Sequence, residues 1–263
     1  MIDIQNTLDT REVPLNKVGV KGLKYPVTVL DRSNGKQNTT ATVDLFVNLP
    51  HHYKGTHMSR FVDIFHKHHE NLDMKNFLLM LSDVRKSLNA QKAFCSMTFP
   101  FFMEKTAPIT GEKGMMCYSL TYEGLVTETT EDFYIKAKVP VTTVCPCSKA
   151  ISQRGAHNQR GIVSVKLQNK SFFWIEDIIE LIENSASCGL YSLLKRPDEK
   201  WVTEHAYDNP RFVEDVVREV YLALKKFDKA EKPFTCFSVE CENEESIHNH
   251  NAYALAEYDG YSE

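Results

Sequence analysis

A chain of 263 residues, 42% hydrophobic and 25% charged, lies in the ordinary soluble globular range and is long enough to bury a sizeable core as one large domain or two smaller ones. Its formal net charge of −4 gives no whole-protein attraction to nucleic acid or to an anionic membrane, so neither is expected as a partner, and any bound phosphate needs a local basic cluster. The N-terminal residues carry scattered charges and no apolar signal core, and no apolar run exceeds five residues, as from Phe77 to Leu81, which together predict a cytoplasmic protein.

In chain order, Tyr25–Leu30 and the alternating run 38–49 (Ala41, Val43, Leu45, Val47, Leu49) flank "DRSNGKQ" and predict an antiparallel hairpin. Ser59 is expected to cap a helix carrying Phe61, Ile64 and Phe65, and a second helix shows Phe77, Met80, Leu81, Val84 and Leu88 at helical spacing. Strands are predicted at about 94–103, 116–123 and 131–144, the last with Phe133, Ile135, Ala137, Val139 and Val141 alternating. The second half begins again with a strand (Val163, Val165, Leu167) and a helix across 172–194. Asn209 and Pro210 then open a helix striped by Val213, Val216, Val217, Val220 and Leu224. Strands at about 234–242 and 251–258 close the chain. Each half reads as strands around a pair of helices, an α+β arrangement with helices on one face of an antiparallel sheet. With no low-complexity linker, 1–263 is expected as a single bimodular unit, the first module about 1–150 and the second about 151–263.

Three polar clusters stand out. Cys145 and Cys147 flank Pro146 at the end of the 131–144 strand, where an extended chain would point both thiols to one side. Seven cysteines, an odd number, stay free in a reducing compartment unless they bind metal or react, and most are expected simply to pack. The following loop supplies Ser148, Lys149, Arg154, His157, Asn158, Gln159 and Arg160 with little apolar material, the composition of a site. Glu199 follows Pro197-Asp198 outside any helical period, as a solvated loop carboxylate would, and Glu214 lies in a helical first turn, where the dipole favours an acid. Between two strands, 238–254 packs Glu240, Glu242, Glu244, Glu245, His248 and His250, which also describes an acidic hairpin tip.

The segments "VTTVCPCSKAIS" with "GAHNQRG", "LLKRPDEKWVTEHAYDNPRFVEDVVR", "ESIHNHNAYA", "GTHMSRFV" and "FPFFMEKTAP" resemble the prokaryotic type IB GTP cyclohydrolases over nearly the whole chain. The resemblance implies a tunnelling fold (T-fold) of two related modules, antiparallel strands with paired helices on one face, assembled as a homotetramer with active sites at subunit interfaces. It implies conversion of GTP and water to 7,8-dihydroneopterin triphosphate and formate, the first step of folate and pterin biosynthesis. It also implies one divalent metal ion per active site held by Cys145, His157 and Glu199. Three protein ligands leave a place open for an activated water, and a mixed thiolate, imidazole and carboxylate set suits zinc, manganese or iron.

Further roles follow from the same resemblance. His248 is the expected general acid or base, and Cys147 a proton-transferring thiol. Glu214 is expected to accept the guanine N1–H and 2-amino group, a donor pair that adenine lacks. Arg60, Lys149 and Arg160 are the candidate triphosphate cations, with His57 and Ser59 lining the same interface. A thiol–disulfide oxidoreductase would give His157, Glu199 and Glu214 no task, and a metal-stabilised binding module would want a fourth soft ligand. Nearer alternatives are other tunnelling-fold enzymes of pterins or deazapurines, including cyclohydrolases that form a cyclic phosphate.

Overall fold

The computed structural model describes residues 5, 7–169, 171–227 and 233–260. Nine strands and six helices follow in the order β1 (Leu15–Asp31), β2 (Gly35–Leu49), α1 (Met58–His68), α2 (Met74–Ser87), β3 (Ala93–Thr106), β4 (Lys113–Val126), β5 (Glu131–Val144), α3 (Pro146–Ile151), β6 (Asn158–Asn169), α4 (Ile175–Ser185), β7 (Cys188–Gly189), α5 (Arg196–Asp208), α6 (Val213–Lys226), β8 (Phe234–Glu244) and β9 (Ala252–Asp259). The strands are hydrogen-bonded in the sequence β1-β2-β3-β4-β5-β6-β8-β9, with β7 paired to β5. Among the described residues no helix is long and apolar enough to cross a membrane. The chain divides into two units, residues 1–100 with 121–134, and residues 101–120 with 135–263.

In the first unit the expected hairpin is present and longer than Tyr25–Leu30, pairing from Asp31↔Gly35 out to Leu15↔Leu49. Asp31 makes its turn by accepting from the Ser33 and Asn34 amides, each at 2.8 Å, and Gly35 leaves it at φ 75°, a left-handed conformation that favours glycine. The alternating side chains Ala41, Val43, Leu45, Val47 and Leu49 of β2 are all buried. Helix α1 buries Phe61, Ile64 and Phe65, but its N-cap is His57; Ser59 lies inside the first turn, since the backbone is already helical at Met58. Asp73 caps α2, accepting from the Asn76 amide at 2.7 Å. Phe77 of α2 meets Tyr122 and Phe133 edge-on at 5.9 and 5.4 Å. The helix can lie this close because residue 124 is glycine: a Cβ there would come within 2.6 Å of Leu81 Cδ1 and 2.8 Å of Phe77 Cε1.

In the second unit β6, β8 and β9 form an antiparallel ladder, with Val163↔Cys241 and Val239↔Ala256 in register. Helix α6 packs against β8 and β9 and buries Val213, Val216, Val217, Val220 and Leu224. The helix expected across 172–194 ends at Ser185, because the chain then turns to pair Cys188 and Gly189 with Thr142 and Val141 of β5. Helix α5 occupies a stretch read as non-helical. Asn209 therefore ends α5, its side chain donating to the Ala186 carbonyl at 3.0 Å, and α6 is capped at Phe212, not at Asn209-Pro210.

These elements correct the fold expected from the resemblance. A tunnelling fold of two related modules, each with a pair of helices on one face, matches neither the single nine-strand order nor the four helices α3 to α6 that follow β5. The second half carries the four helices α3, α4, α5 and α6 where a repeat of the first half predicts only a pair.

Candidate active site

The site grows from the end of β5. Cys145 leaves the strand with φ −68° and ψ 117° and becomes the N-cap of α3, with Pro146 in the first helical position and its Sγ accepting from the Ser148 amide at 3.4 Å. Cys147 is thus inside a helix and exposed, so the expected extended geometry with both thiols on one side does not occur. The loop beyond folds back: the Cys145 amide donates to the His157 carbonyl at 3.1 Å, and the His157 amide donates to Ser148 Oγ at 3.2 Å. Ser148 Oγ in turn donates to the Cys145 carbonyl at 3.2 Å. Cys145 and His157, twelve residues apart in sequence, are neighbours through these bonds.

Helix α5 is seated by two devices. Asp198, fully buried, accepts from the Ile109 and Thr110 amides at 2.9 Å each, from Thr110 Oγ1 at 2.6 Å, and reaches back to its own N-cap amide at Lys195, 2.9 Å. Burial alone pushes this carboxyl up, but the hydrogen bonds from Thr110, Lys195 and Ile109 outweigh it and hold the group well below the usual carboxylate range. Farther along α5, Ala206 joins Val144 and Cys188 in a small apolar cluster against which Ala156, Tyr191, Trp201 and Val202 pack. The cluster sets α5 beside the end of β5 and the residue before His157. Glu199 sits exposed in the first turn of α5, on helix where a loop was expected.

The link into α6 returns to the same place. The Arg211 amide donates to the Val144 carbonyl at 3.0 Å, one residue before Cys145. Three residues on, Glu214 is exposed in the first turn of α6, while its neighbour Asp215 caps the helix by accepting from the Phe212 amide at 3.0 Å. Lys149 of α3 donates to the Tyr207 carbonyl, lies 4.3 Å from the Tyr207 ring centre and 3.9 Å from Asp208 Oδ1, so its charge is engaged with the end of α5. Arg160 is exposed on β6, opposite Glu244 of β8. His248 is exposed between β8 and β9, its ring stacked on that of His250 at 5.1 Å. In the first unit, His57 and Arg60 line a cavity of about 50 Å³ with Tyr53 and Asn89; Arg60 also donates to the Ser87 carbonyl at 3.1 Å, and Ser59 is exposed on α1.

A larger cavity, about 390 Å³, opens behind the apolar cluster, lined by Lys105, Glu183, Cys188, Tyr191, Trp201 and His205 among others. Lys105 Nζ is 2.5 Å from Glu183 Oε2, and Tyr118 donates to Glu183 Oε1 at 2.9 Å. Burial, then the Glu183 charge, raises the Tyr118 hydroxyl; burial also raises the Cys188 thiol and pushes Tyr191 up to about 12.

A divalent ion can be judged against the donors present. Cys145 and His157 share one hydrogen-bonded loop and offer a thiol and an imidazole, a pair suited to a borderline ion. Among the described residues, however, no three His, Cys, Asp or Glu side chains gather closely enough to hold a metal. Glu199 is carried on the adjoining helix without closing onto the pair. Residues that sequence reasoning gave no role are Asp198 and Arg211, which seat α5 and α6, and the Lys105–Glu183 pair; only Asp198 left a signal, as an acid directly after a proline at a helix start.

The family described as type I GTP cyclohydrolase folE2 (GCHY-1) matches residues 1–254. The chain is 52% identical over 257 residues to the GTP cyclohydrolase FolE2 of Syntrophus aciditrophicus (strain SB), covering 98% of this chain and 99% of that protein. It is 51% identical over 252 residues to the GTP cyclohydrolase FolE2 of Fervidobacterium nodosum, covering 96% of this chain and 95% of that protein. Among solved structures it is similar to uricase from Arthrobacter globiformis, with a TM-score of 0.53, 7% identity and 93% of each chain covered. Likeness at that identity concerns fold alone, and it describes the architecture in place of the two-module, paired-helix description expected from the sequence.

Proposed function

The chain belongs to the type I GTP cyclohydrolase FolE2 family and is a GTP cyclohydrolase of folate biosynthesis, and from that premise we propose that GTP is opened at the Cys145 to His157 loop. The products are 7,8-dihydroneopterin triphosphate and formate. The observation that supports this location is the Cys145 amide to His157 carbonyl bond of 3.1 Å, which makes a thiol-bearing and an imidazole-bearing residue neighbours at the strand end against which α5 packs and to which the link into α6 is bonded. Cys145, His157 and Glu199 would hold one divalent ion, zinc, manganese or iron, with Glu199 closing onto the other two. When bound, the ion supplies Lewis acidity and a water of lowered pKa for attack at the guanine C8.

The remaining work belongs to the chain's own side chains. Glu214 accepts the guanine N1–H and 2-amino group and so excludes adenine, whose corresponding edge would leave the carboxylate unanswered. His248 gives and takes protons during ring opening and Cys147 does so beside C8. Arg60, Lys149 and Arg160 neutralise the triphosphate, Lys149 by leaving its contacts at Tyr207 and Asp208, and His57 and Ser59 line the same subunit interface. Glu199, Glu214, Arg160 and His248 all lie open on a single chain, which supports a homotetramer whose neighbouring subunit completes each site.

Metal analysis of four variants tests the reading. Cys145→Ala, His157→Ala and Glu199→Ala should each lose bound metal and turnover, because two protein ligands remain. Cys147→Ala should keep metal and lose rate. Stoichiometric metal in any of the first three refutes the ligand set; metal loss in the fourth makes the thiols co-ligands.

A further inference from the structure

We propose that Gln159 is a positioning residue that fixes the tautomer of His157, leaving Nε2 as the free electron-pair donor. This rests on the reading of His157 as a ligand. Gln159 stands two residues beyond His157 at the start of β6, and strand periodicity places such a pair on one side of the chain. It is only 8% exposed, an unusual position for glutamine, and its partner Thr143 on β5 is fully buried. A buried amide must spend both of its ends. Here Nε2 donates to Thr143 Oγ1 at 2.8 Å, and Oε1 lies 3.0 Å from His157 Nδ1.

A carbonyl oxygen can only accept, so Nδ1 must carry the proton and Nε2 of a neutral ring must carry the lone pair. The direction of the relay is carried by the orientation of the amide, Nε2 toward Thr143 Oγ1 and Oε1 toward His157: were the amide turned over, its NH₂ would face Nδ1 and the opposite tautomer would follow. The backbone of His157 is held independently, by its amide on Ser148 Oγ and its carbonyl on the Cys145 amide. Glutamine suits this place because it joins a donor to an acceptor at fixed spacing. Histidines that bind metals through one nitrogen are regularly oriented by a hydrogen bond at the other, and loss of such a partner weakens metal binding by about 10–100-fold.

The test reads the tautomer by solid-state NMR of metal-free, 15N-histidine-labelled protein at about pH 8, above the ordinary histidine pKa. The His157 signals are assigned by their loss in His157→Asn. Zinc affinity is measured alongside. Wild type should show the Nδ1–H form. Gln159→Leu should give mixed tautomers and zinc binding weakened about 10–100-fold. Should that variant fail to fold, Thr143→Val, nearly isosteric, releases the amide with the same two effects, and Thr143→Ser restores both. An Nε2–H ring in wild type overturns the proposal. So do variants that shift the tautomer without changing zinc affinity, or that change neither. If the tautomer behaves as expected but wild type binds no zinc, the role of Gln159 stands and the assignment of the metal ligands fails.

Discussion

Replacing Lys105 by Met should destabilise the second unit strongly, because it removes the cation paired with the largely buried carboxylate of Glu183. The two side chains are 19% and 10% exposed, and the ammonium is 2.5 Å from Glu183 Oε2. Residue 189 is a glycine beside them, where a Cβ would fall 2.7 Å from Lys105 Nζ and 3.1 Å from the Glu183 carboxyl carbon. Methionine keeps most of the length of the side chain, but loses the ammonium that also lies 4.2 Å from the Tyr191 ring centre and leaves Glu183 with the neutral Tyr118 hydroxyl at 2.9 Å. Breaking a buried pair costs about 3–5 kcal/mol, and the residual hydration of Lys105 puts the expectation near about 3 kcal/mol. At about 2–4 °C per kcal/mol for a chain of this size, Tm should fall by about 6–12 °C at fixed protein concentration. Lys105→Met combined with Glu183→Leu should recover most of the loss, since no charge is then left buried. A fall of less than about 1 °C in the single variant, by scanning calorimetry, refutes the reasoning.

Glu214→Gln keeps the shape of the side chain but turns a donor toward the guanine edge, so GTP binding should weaken about tenfold to a hundredfold with metal content unchanged; unaltered GTP affinity makes Glu214 a surface acid. Asp198→Asn tests the seat of α5 through pH. The folded carboxyl lies well below its ordinary value of 3.8, so its contribution is fully present above that value and is lost as pH falls below it toward the folded pKa. The variant should be less stable at pH 7 and should show a flatter loss below about pH 4; acid limbs of equal steepness in both proteins dismiss the idea. Light scattering should find a homotetramer, and full GTP turnover by a monomer would remove the need for a neighbouring subunit.

Strands were readable where one face is buried and the other wet, because alternation then writes the face into the sequence, as from Ala41 to Leu49. Helix α5 was not, since only Asp198 and Ala206 of its residues are buried and no apolar stripe can form. Helix α3 has no buried residue at all. The spacing of Cys145 and Cys147 carries no mark of where the strand ends, so the thiols were placed on one side although the helix begins between them. The Arg211 to Val144 and Gln159 to Thr143 bonds join residues far apart in sequence, and nothing local announces them. The ligand set and the base-anchoring glutamate came from the family resemblance, and the geometry adds the loop that unites Cys145 with His157.

The most direct test is product stoichiometry. Purified protein, GTP labelled with 14C at C8 and a divalent metal should release one labelled formate for each 7,8-dihydroneopterin triphosphate, the pterin read by the fluorescence of its oxidised form. GTP left intact, or labelled formate accompanied by a cyclic phosphate product, would contradict the account.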